Sequence, residues 1–347
     1  MRQEEFRSID LFCGSGAVTT ALIDEGFRVV AAVDNDPVAC KTFSANHPNV
    51  PLFQNDIREL DPYSIIERDP TAKNIDLLVV CAPCQPFSSQ NRKRGVDKRA
   101  SLLLEAVRFA SILEPKCILF ENVPGLVSQS NRFIVESLQR GLEELGYYLS
   151  RPRKIDAAEL GVPQRRIRCV MLAVKSERAA EQFERARFDF PRKTVRETIA
   201  HLPKLSSGGN WQADPLHYAR AHQAIALERL AAIPVDGGSR VDLPGRLELA
   251  CHKGRKGFPD VYGRMRWDDV SPTLTTGCTD VTRGRFAHPE QDRAITLREA
   301  ALLQTFPADY KFLGNHRQIA TQIGNAVPVA MVKGLVPLLL MVIKATD

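Results

Sequence analysis

The stretch "FRSIDLFCGSGAVTTALIDEGFRVVAAVD", residues 6–34, decides the fold. "FRSIDLF" is a short apolar strand that closes on "CGSG". "AVTTALIDEG" has helical periodicity and ends at Gly26, and "FRVVAAVD" is a second strand. Outward from this unit the alternation continues. "IDLLVVCA" reads as a strand, "SLLLEAVRFASILEP" as a helix stopped at Pro115, "CILFENV" as a strand, "NRFIVESLQRGLEELG" as a helix ended by Gly146, and "RCVMLAV" as a late strand. The pattern predicts an α/β fold with a doubly wound, mostly parallel, Rossmann-like sheet and helices on both faces. From about residue 176 the rhythm is lost. Residues 200–290 are rich in Gly, Pro and Asp, as in "LSSGGNW" and "SPTLTTGCTD", and predict a smaller irregular domain of turns and short strands. Helical periodicity returns in "TLREAALLQTF" and in "QIGNAVPVAMVKGLVPLLLMVIK", which can pack an apolar helix back on the first domain.

The composition agrees with a soluble globular chain: 347 residues, 44% hydrophobic and 25% charged, with no low-complexity segment. The first residues lack the apolar core of a secretion signal. The most apolar run, "LVPLLLMVI", is far shorter than the ~20 residues of a membrane span. A cytoplasmic location with no membrane partner is therefore expected, and the eight cysteines are expected to be reduced thiols. The net charge of +6 is unevenly placed. Basic excess gathers in 151–196, in "NRKRGVDKR" (91–99) and in "HKGRKGFPDVYGRMR" (252–266). Any one of these is an ordinary solvated face, whereas three around one site point to a polyanion such as nucleic acid.

Gly14-x-Gly16 sits at a strand-to-helix turn, where the backbone can approach a ligand and the helix N-terminus offers free N–H groups. It departs from the dinucleotide fingerprint, because Thr19 holds the third glycine position, and no Lys-Ser or Lys-Thr pair makes a phosphate loop. Asp34 ends the second strand, where an acid can accept ribose hydroxyls, and Asp56 lies where a third strand would end and can meet an adenine amino group. Together they describe a pocket for an adenosine-bearing cofactor, with S-adenosylmethionine favoured over a nicotinamide.

"CAPCQPFSSQ", residues 81–90, pairs two cysteines. A metal site needs about four ligands and no second Cys/His cluster appears, so no metal is expected. A redox pair would sit at a helix start, without Pro86 so close. Cys81, at the strand end, reads as a core thiol. Cys84 begins a loop stiffened by Pro83 and Pro86 and reads as a nucleophile. "FENVPG" puts Glu121 just past the next strand, on the same edge of the sheet, where it serves as the acid partner or simply caps a helix.

"DLFCGSG", "APCQPFS", "FENVPGL", "GVPQRRIR", "TLREAALLQTFP" and "QIGNAVPV" occur in the order and approximate spacing of DNA cytosine-5 methyltransferase motifs, and nearly the whole chain outside 176–290 resembles that family. The resemblance implies an S-adenosylmethionine-dependent enzyme that flips a target cytosine out of duplex DNA. It implies that Cys84 attacks C6, that Glu121 hydrogen-bonds N3 and N4, and that methyl passes to C5, with S-adenosylhomocysteine as the other product. Gln164, Arg166 and Arg168 match the segment that holds the cytosine and orients Glu121. Phe12 matches the aromatic on adenine, Gly14 and Gly16 the close-approach turn, Asp34 and Asp56 the ribose and adenine acids, and Asn325 a motif lining the methionine end. Two departures stand out. Asp34 is followed by Asn35 where the family often has Glu and an aromatic, and Gly-Asn-Ala-Val replaces Gly-Asn-Ser-Val.

The implied domains are 1–185 plus 312–347 for catalysis and cofactor, and 186–311 for target recognition. The run 91–99, with Arg92 and Arg94, is expected to form a flap over the DNA backbone, and Lys253, Arg255, Arg264 and Arg266 are expected to contact bases or phosphates. Expected partners are double-stranded DNA and the components of a restriction-modification or defence system, with the enzyme a monomer. An RNA cytosine-5 methyltransferase is the nearest rival, and the sizeable region between "QRRIR" and "TLREAA" favours DNA. A non-catalytic DNA-binding relative would be expected to have lost Cys84 or Glu121, and both are present.

Overall fold

The computed structural model describes residues 5–83, 98–253 and 257–345. They form two compact units: 5–83, 98–160, 167–190 and 329–345 in one, and 161–166, 191–253 and 257–328 in the other. The sequence placed the chain's return to the first domain at residue 312. Instead 312–328 pack within the second unit, and only the last helix returns.

The first unit is built on eight strands: β1 (Arg7–Leu11), β2 (Arg28–Asp34), β3 (Leu52–Gln54), β4 (Leu77–Val80), β5 (Cys117–Asn122), β6 (Tyr148–Leu149), β7 (Arg153–Asp156) and β8 (Ile167–Val174). Their order is β3-β2-β1-β4-β5-β8-β6, with β7 paired to β8. The run from β3 to β5 is parallel, while β8 meets β5, β6 and β7 antiparallel. All four residues of β4 are buried, as a central parallel strand covered on both faces requires.

Its helices are α1 (Ala17–Asp24), α2 (Pro37–Asn46), α3 (Tyr63–Arg68), α4 (Glu105–Leu113), α5 (Arg132–Glu144) and α6 (Glu177–Arg185). One sheet face, with Ile9, Leu11, Leu78, Val80, Ile118 and Phe120, packs against Phe109 and Leu113 of α4 and Ile134, Leu138 and Leu142 of α5. The other face takes α1 and α6. The second unit supplies α7 (Val195–Ile199), α8 (Ala224–Ala232), α9 (Leu297–Leu303) and α10 (His316–Asn325), after which α11 (Val329–Lys344) returns to pack on α1, α6 and β5. The apolar C-terminal run is therefore a core helix: ten of its residues are buried, Val336 and Leu338 on either side of Pro337 among them.

In the second unit the short strands expected between 200 and 290 are isolated bridges, such as Asn210 with Tyr218 and Arg264 with Ala287. With few ladders to satisfy them, backbone carbonyls need other donors. Arginines supply them. Arg264, 1% exposed, reaches the carbonyls of Leu230, Ile233, His288 and Gln291 and the carboxylate of Asp292. Arg285 reaches those of Gly237, Gly238 and Arg264. Arg293 and Glu299, both buried, pair through two 2.8 Å contacts, and Glu299 also closes a capping box with Thr296 at the start of α9. Part of the basic excess read as a nucleic-acid signal is internal scaffolding.

Candidate active site

The C-terminal edge of the parallel strands carries two clusters. The first is the turn after β1. Phe12, Gly14 and Gly16 all have left-handed φ, at 63°, 53° and 96°. A Cβ at Gly14 would meet nothing within 4 Å, so glycine is needed there for conformation and not for space. Asp34, at the end of β2, accepts from the Gly14 N–H at 2.8 Å through one oxygen and from the Asp36 N–H at 2.8 Å through the other. Burial pushes its pKa up, and those two N–H groups restrain the shift. Each oxygen keeps a lone pair for a further donor such as a hydroxyl. Asp56 lies two residues past β3. Both its oxygens face the Arg58 guanidinium, which pulls its pKa down to about 2.

The second cluster lies one to three strands away, on β4, β5 and β8. Arg168 Nε donates to Glu121 Oε1 at 2.9 Å, with the side chains 10% and 12% exposed. The antiparallel register makes this pair. Asn122 lies opposite Cys169, so Arg168 falls just beyond the end of β5. Asn122, 2% exposed, donates its amide to the Ala82 carbonyl at 3.0 Å and accepts from the Val123 N–H at 2.9 Å. It therefore ties the end of β5 to the chain two residues before Cys84. The Cys81 thiol is pushed well above the ordinary thiol range by burial, and the Glu121 and Asp10 charges add to this. At neutral pH it stays protonated and is a poor nucleophile.

The model of the C-5 cytosine-specific DNA methylase family matches residues 6–337. The chain belongs to that family. It is 40% identical over 329 residues to the Type II methylase M.HgiDII of Herpetosiphon aurantiacus, covering 93% of this chain and 92% of that one. To the Type II methyltransferase M1.HphI of Haemophilus parahaemolyticus it is 31% identical, covering 94% and 84%. Among solved structures, an Escherichia coli prophage protein described as a DNA modification methyltransferase superposes with a TM-score of 0.77 at 24% identity, over 98% of this chain and 100% of that one. The S. pombe Dnmt2 methyltransferase gives 0.65 at 20% identity, over 97% and 99%. These two likenesses establish a shared fold.

In this DNA cytosine-5 methyltransferase, Cys84, Arg92, Arg94 and Arg255 lie outside the described residues. Gln164 and Arg166 belong to the second unit, and both are buried. Gln164 is fully buried; its amide donates to the Leu303 carbonyl and Gln304 Oε1, and its oxygen accepts from Leu274 N–H. Arg166, 3% exposed, donates to the carbonyls of Leu274, Gly324 and Ala326. Only Arg168 of the two expected arginines holds Glu121. Arg166 instead braces the C-terminal end of α10, where Asn325 is exposed. Lys253 and Arg266 are exposed, as a DNA contact needs, whereas Arg264 is removed from that role by the burial described above.

Three residues escaped the sequence reading. Asp10, fully buried on β1, accepts from the Thr19 hydroxyl at 2.7 Å, and its other oxygen has no partner. Burial raises its pKa to about 7, the Thr19 hydrogen bond opposes the shift, and the Asp34 charge adds to it. Asn122 was read only as part of a motif. Gln304 donates to the Ile323 carbonyl at 2.6 Å, bracing α10 beside Arg166. A polar residue within an apolar-periodic run was the only signal for Gln304. Among the described residues, no group of three His, Cys, Asp or Glu side chains could hold a metal ion.

Proposed function

We propose that this chain is a sequence-specific DNA cytosine-5 methyltransferase that takes methyl from S-adenosylmethionine, with Cys84 as nucleophile and Glu121 as the acid that engages the base. The observation that carries the reading is the Glu121–Arg168 pair beside β4, whose chain runs on through Ala82, held by Asn122, to Cys84. The glycine turn and Asp34 suit the cofactor: open space at Gly14, a partly exposed ring at Phe12, and a carboxylate already oriented by two N–H groups, with lone pairs left for ribose hydroxyls. Asp56 and Asn325 complete the assignment by motif. When bound, S-adenosylmethionine supplies an electrophilic methyl on a sulfonium centre.

Cytosine C5 is a weak nucleophile in the aromatic ring. The Cys84 thiolate forms a C–S bond at C6, which moves an electron pair toward C5 and negative charge onto N3 and O2. Glu121, fixed by Arg168, accepts from the N4 amino group with one oxygen and delivers a proton to N3 from the other, which neutralises that charge. Once C5 carries the methyl group, its proton passes to water, the electron pair re-forms the C5–C6 double bond, Cys84 leaves as the thiolate, and N3 returns its proton to Glu121. The reaction requires an unstacked base, so the cytosine is flipped at a cost of a few kcal/mol. The second unit, with Lys253 and Arg266 exposed, is the target-recognition part, and the names of the Type II relatives support pairing with a restriction nuclease. A monomer acting on DNA in the cytoplasm fits this role. Labelled methyl transfer to duplex DNA and to tRNA, with Cys84→Ala as control, tests it: transfer to DNA that Cys84→Ala abolishes is expected, and transfer to tRNA alone would overturn it.

A further inference from the structure

Phe258 is the most exposed large apolar side chain among the described residues, at 68%. It also has a left-handed backbone, φ 57°, although it is not glycine and precedes Pro259, where an extended conformation is normal. Glycine or asparagine at this position would relieve the strain, and a polar residue would remove the exposed ring. Folding alone therefore gives no reason for phenylalanine here.

The turn that carries the ring is nevertheless held firmly. Arg240, 6% exposed, donates Nε to the Phe258 carbonyl at 2.8 Å and Nη2 to the Gly257 carbonyl. The Arg240 N–H donates to the Val261 carbonyl, and Gly263 N–H to the Asp260 carbonyl at 2.8 Å. Arg285 spans from Asp260 Oδ1, 2.9 Å away, to the Gly237 carbonyl, 2.8 Å away. At its base Tyr262, 3% exposed, packs with Leu230, Ile233 and Val281. The ring of His252 lies beside that of Phe258, centroid to centroid 6.2 Å. Exposed Lys253 and Arg266 flank Phe258 in sequence, and Asp260, the acid between them, is paired with Arg285, so the segment carries an excess of positive charge toward a polyanion.

We propose that Phe258 is an aromatic wedge that enters the base stack of the bound duplex and lowers the cost of freeing the target cytosine. Apolar side chains inserted between base steps unstack them and kink the duplex, and a ring on a pre-formed turn loses little conformational freedom on insertion. The inference rests on the DNA reading of the second unit and adds the residue that opens the stack.

The test compares Phe258→Ala with wild type in single-turnover methylation of two duplexes carrying the enzyme's mapped site. One is intact, and in the other the nucleotide opposite the target cytosine is abasic, so that pairing no longer opposes flipping. On the intact duplex Phe258→Ala should lose roughly tenfold or more, the worth of one base–aromatic stack. On the abasic duplex it should stay close to wild type. Phe258→Leu should keep part of the activity, and the melting temperature of both variants should hold, because the ring is not buried. Equal loss on both duplexes, or no loss on the intact one, would overturn the wedge. A wild-type enzyme that methylated cytosine in neither duplex would overturn the functional assignment itself, and the wedge with it.

Discussion

Replacing Arg168 by methionine keeps the aliphatic length of the side chain and removes the guanidinium that holds Glu121. The contact is a single charge-assisted hydrogen bond of 2.9 Å between side chains about nine-tenths buried. Such bonds contribute about 1.5–3 kcal/mol, and stripping the partner from a fully buried pair costs about 3–5 kcal/mol. The Glu121 carboxylate keeps some contact with solvent, so about 2–3 kcal/mol is the appropriate range. If Glu121 stabilises charge on the base only in the transition state, that loss falls on the rate constant, a decrease of roughly 30- to 150-fold. The assay is single-turnover methyl transfer at saturating DNA, with KM for DNA and the unfolding midpoint measured beside it. Arg168→Lys should recover part of the rate. A methionine variant within twofold of wild type, or one whose whole defect lies in KM or in unfolding, would refute the assigned role of the pair.

Asn122→Ala should lower stability by about 1–3 kcal/mol in denaturant unfolding, because it leaves the buried Ala82 carbonyl without its donor, and should also slow methylation through the loop that follows. Gly324→Ala places a Cβ 2.4–2.6 Å from the backbone of Thr275 and Thr276, so the melting temperature should drop and Asn325 should be displaced. Asp10 gives a pH signature. Its folded pKa of about 7 lies above the usual 3.8, so the folded state binds the extra proton and stability falls as pH rises between those values. Asp10→Asn should therefore gain stability relative to wild type as pH rises, on the order of a few kcal/mol by neutrality, while the two converge at low pH; a constant difference across that range would show that Asp10 does not titrate there.

Much of the first unit was legible because period and punctuation act locally. "IDLLVVCA" and "CILFENV" are apolar runs of strand length bounded by turn residues, and they are β4 and β5. The direction of β8 was not legible. "RCVMLAV" reports only burial, yet its antiparallel pairing is what brings Arg168 to Glu121. The return point was missed for a similar reason. The apolar stripe of α10 reads the same whether it faces α9 or the sheet, and the structure packs it on α9. Arg264 misled for a physical reason: an arginine in a basic, glycine-rich stretch reads as a surface charge, and nothing local announces that four distant carbonyls need its donors. At the site, Cys84 and Glu121 stood out through their flanking prolines and strand-end positions. Asn122 and Asp10 act through contacts with residues 40 and 9 positions away, which sequence spacing does not encode.

The central claim is that Cys84 and Glu121 together methylate one cytosine in a defined duplex sequence. Bisulfite sequencing of DNA from cells expressing the wild-type chain, Cys84→Ala or Glu121→Gln tests it most directly. Wild type should protect one cytosine in a single recurring sequence, Cys84→Ala none, and Glu121→Gln few or none. Absence of protected cytosines with the wild-type chain, or protection that survives Cys84→Ala, would contradict the account.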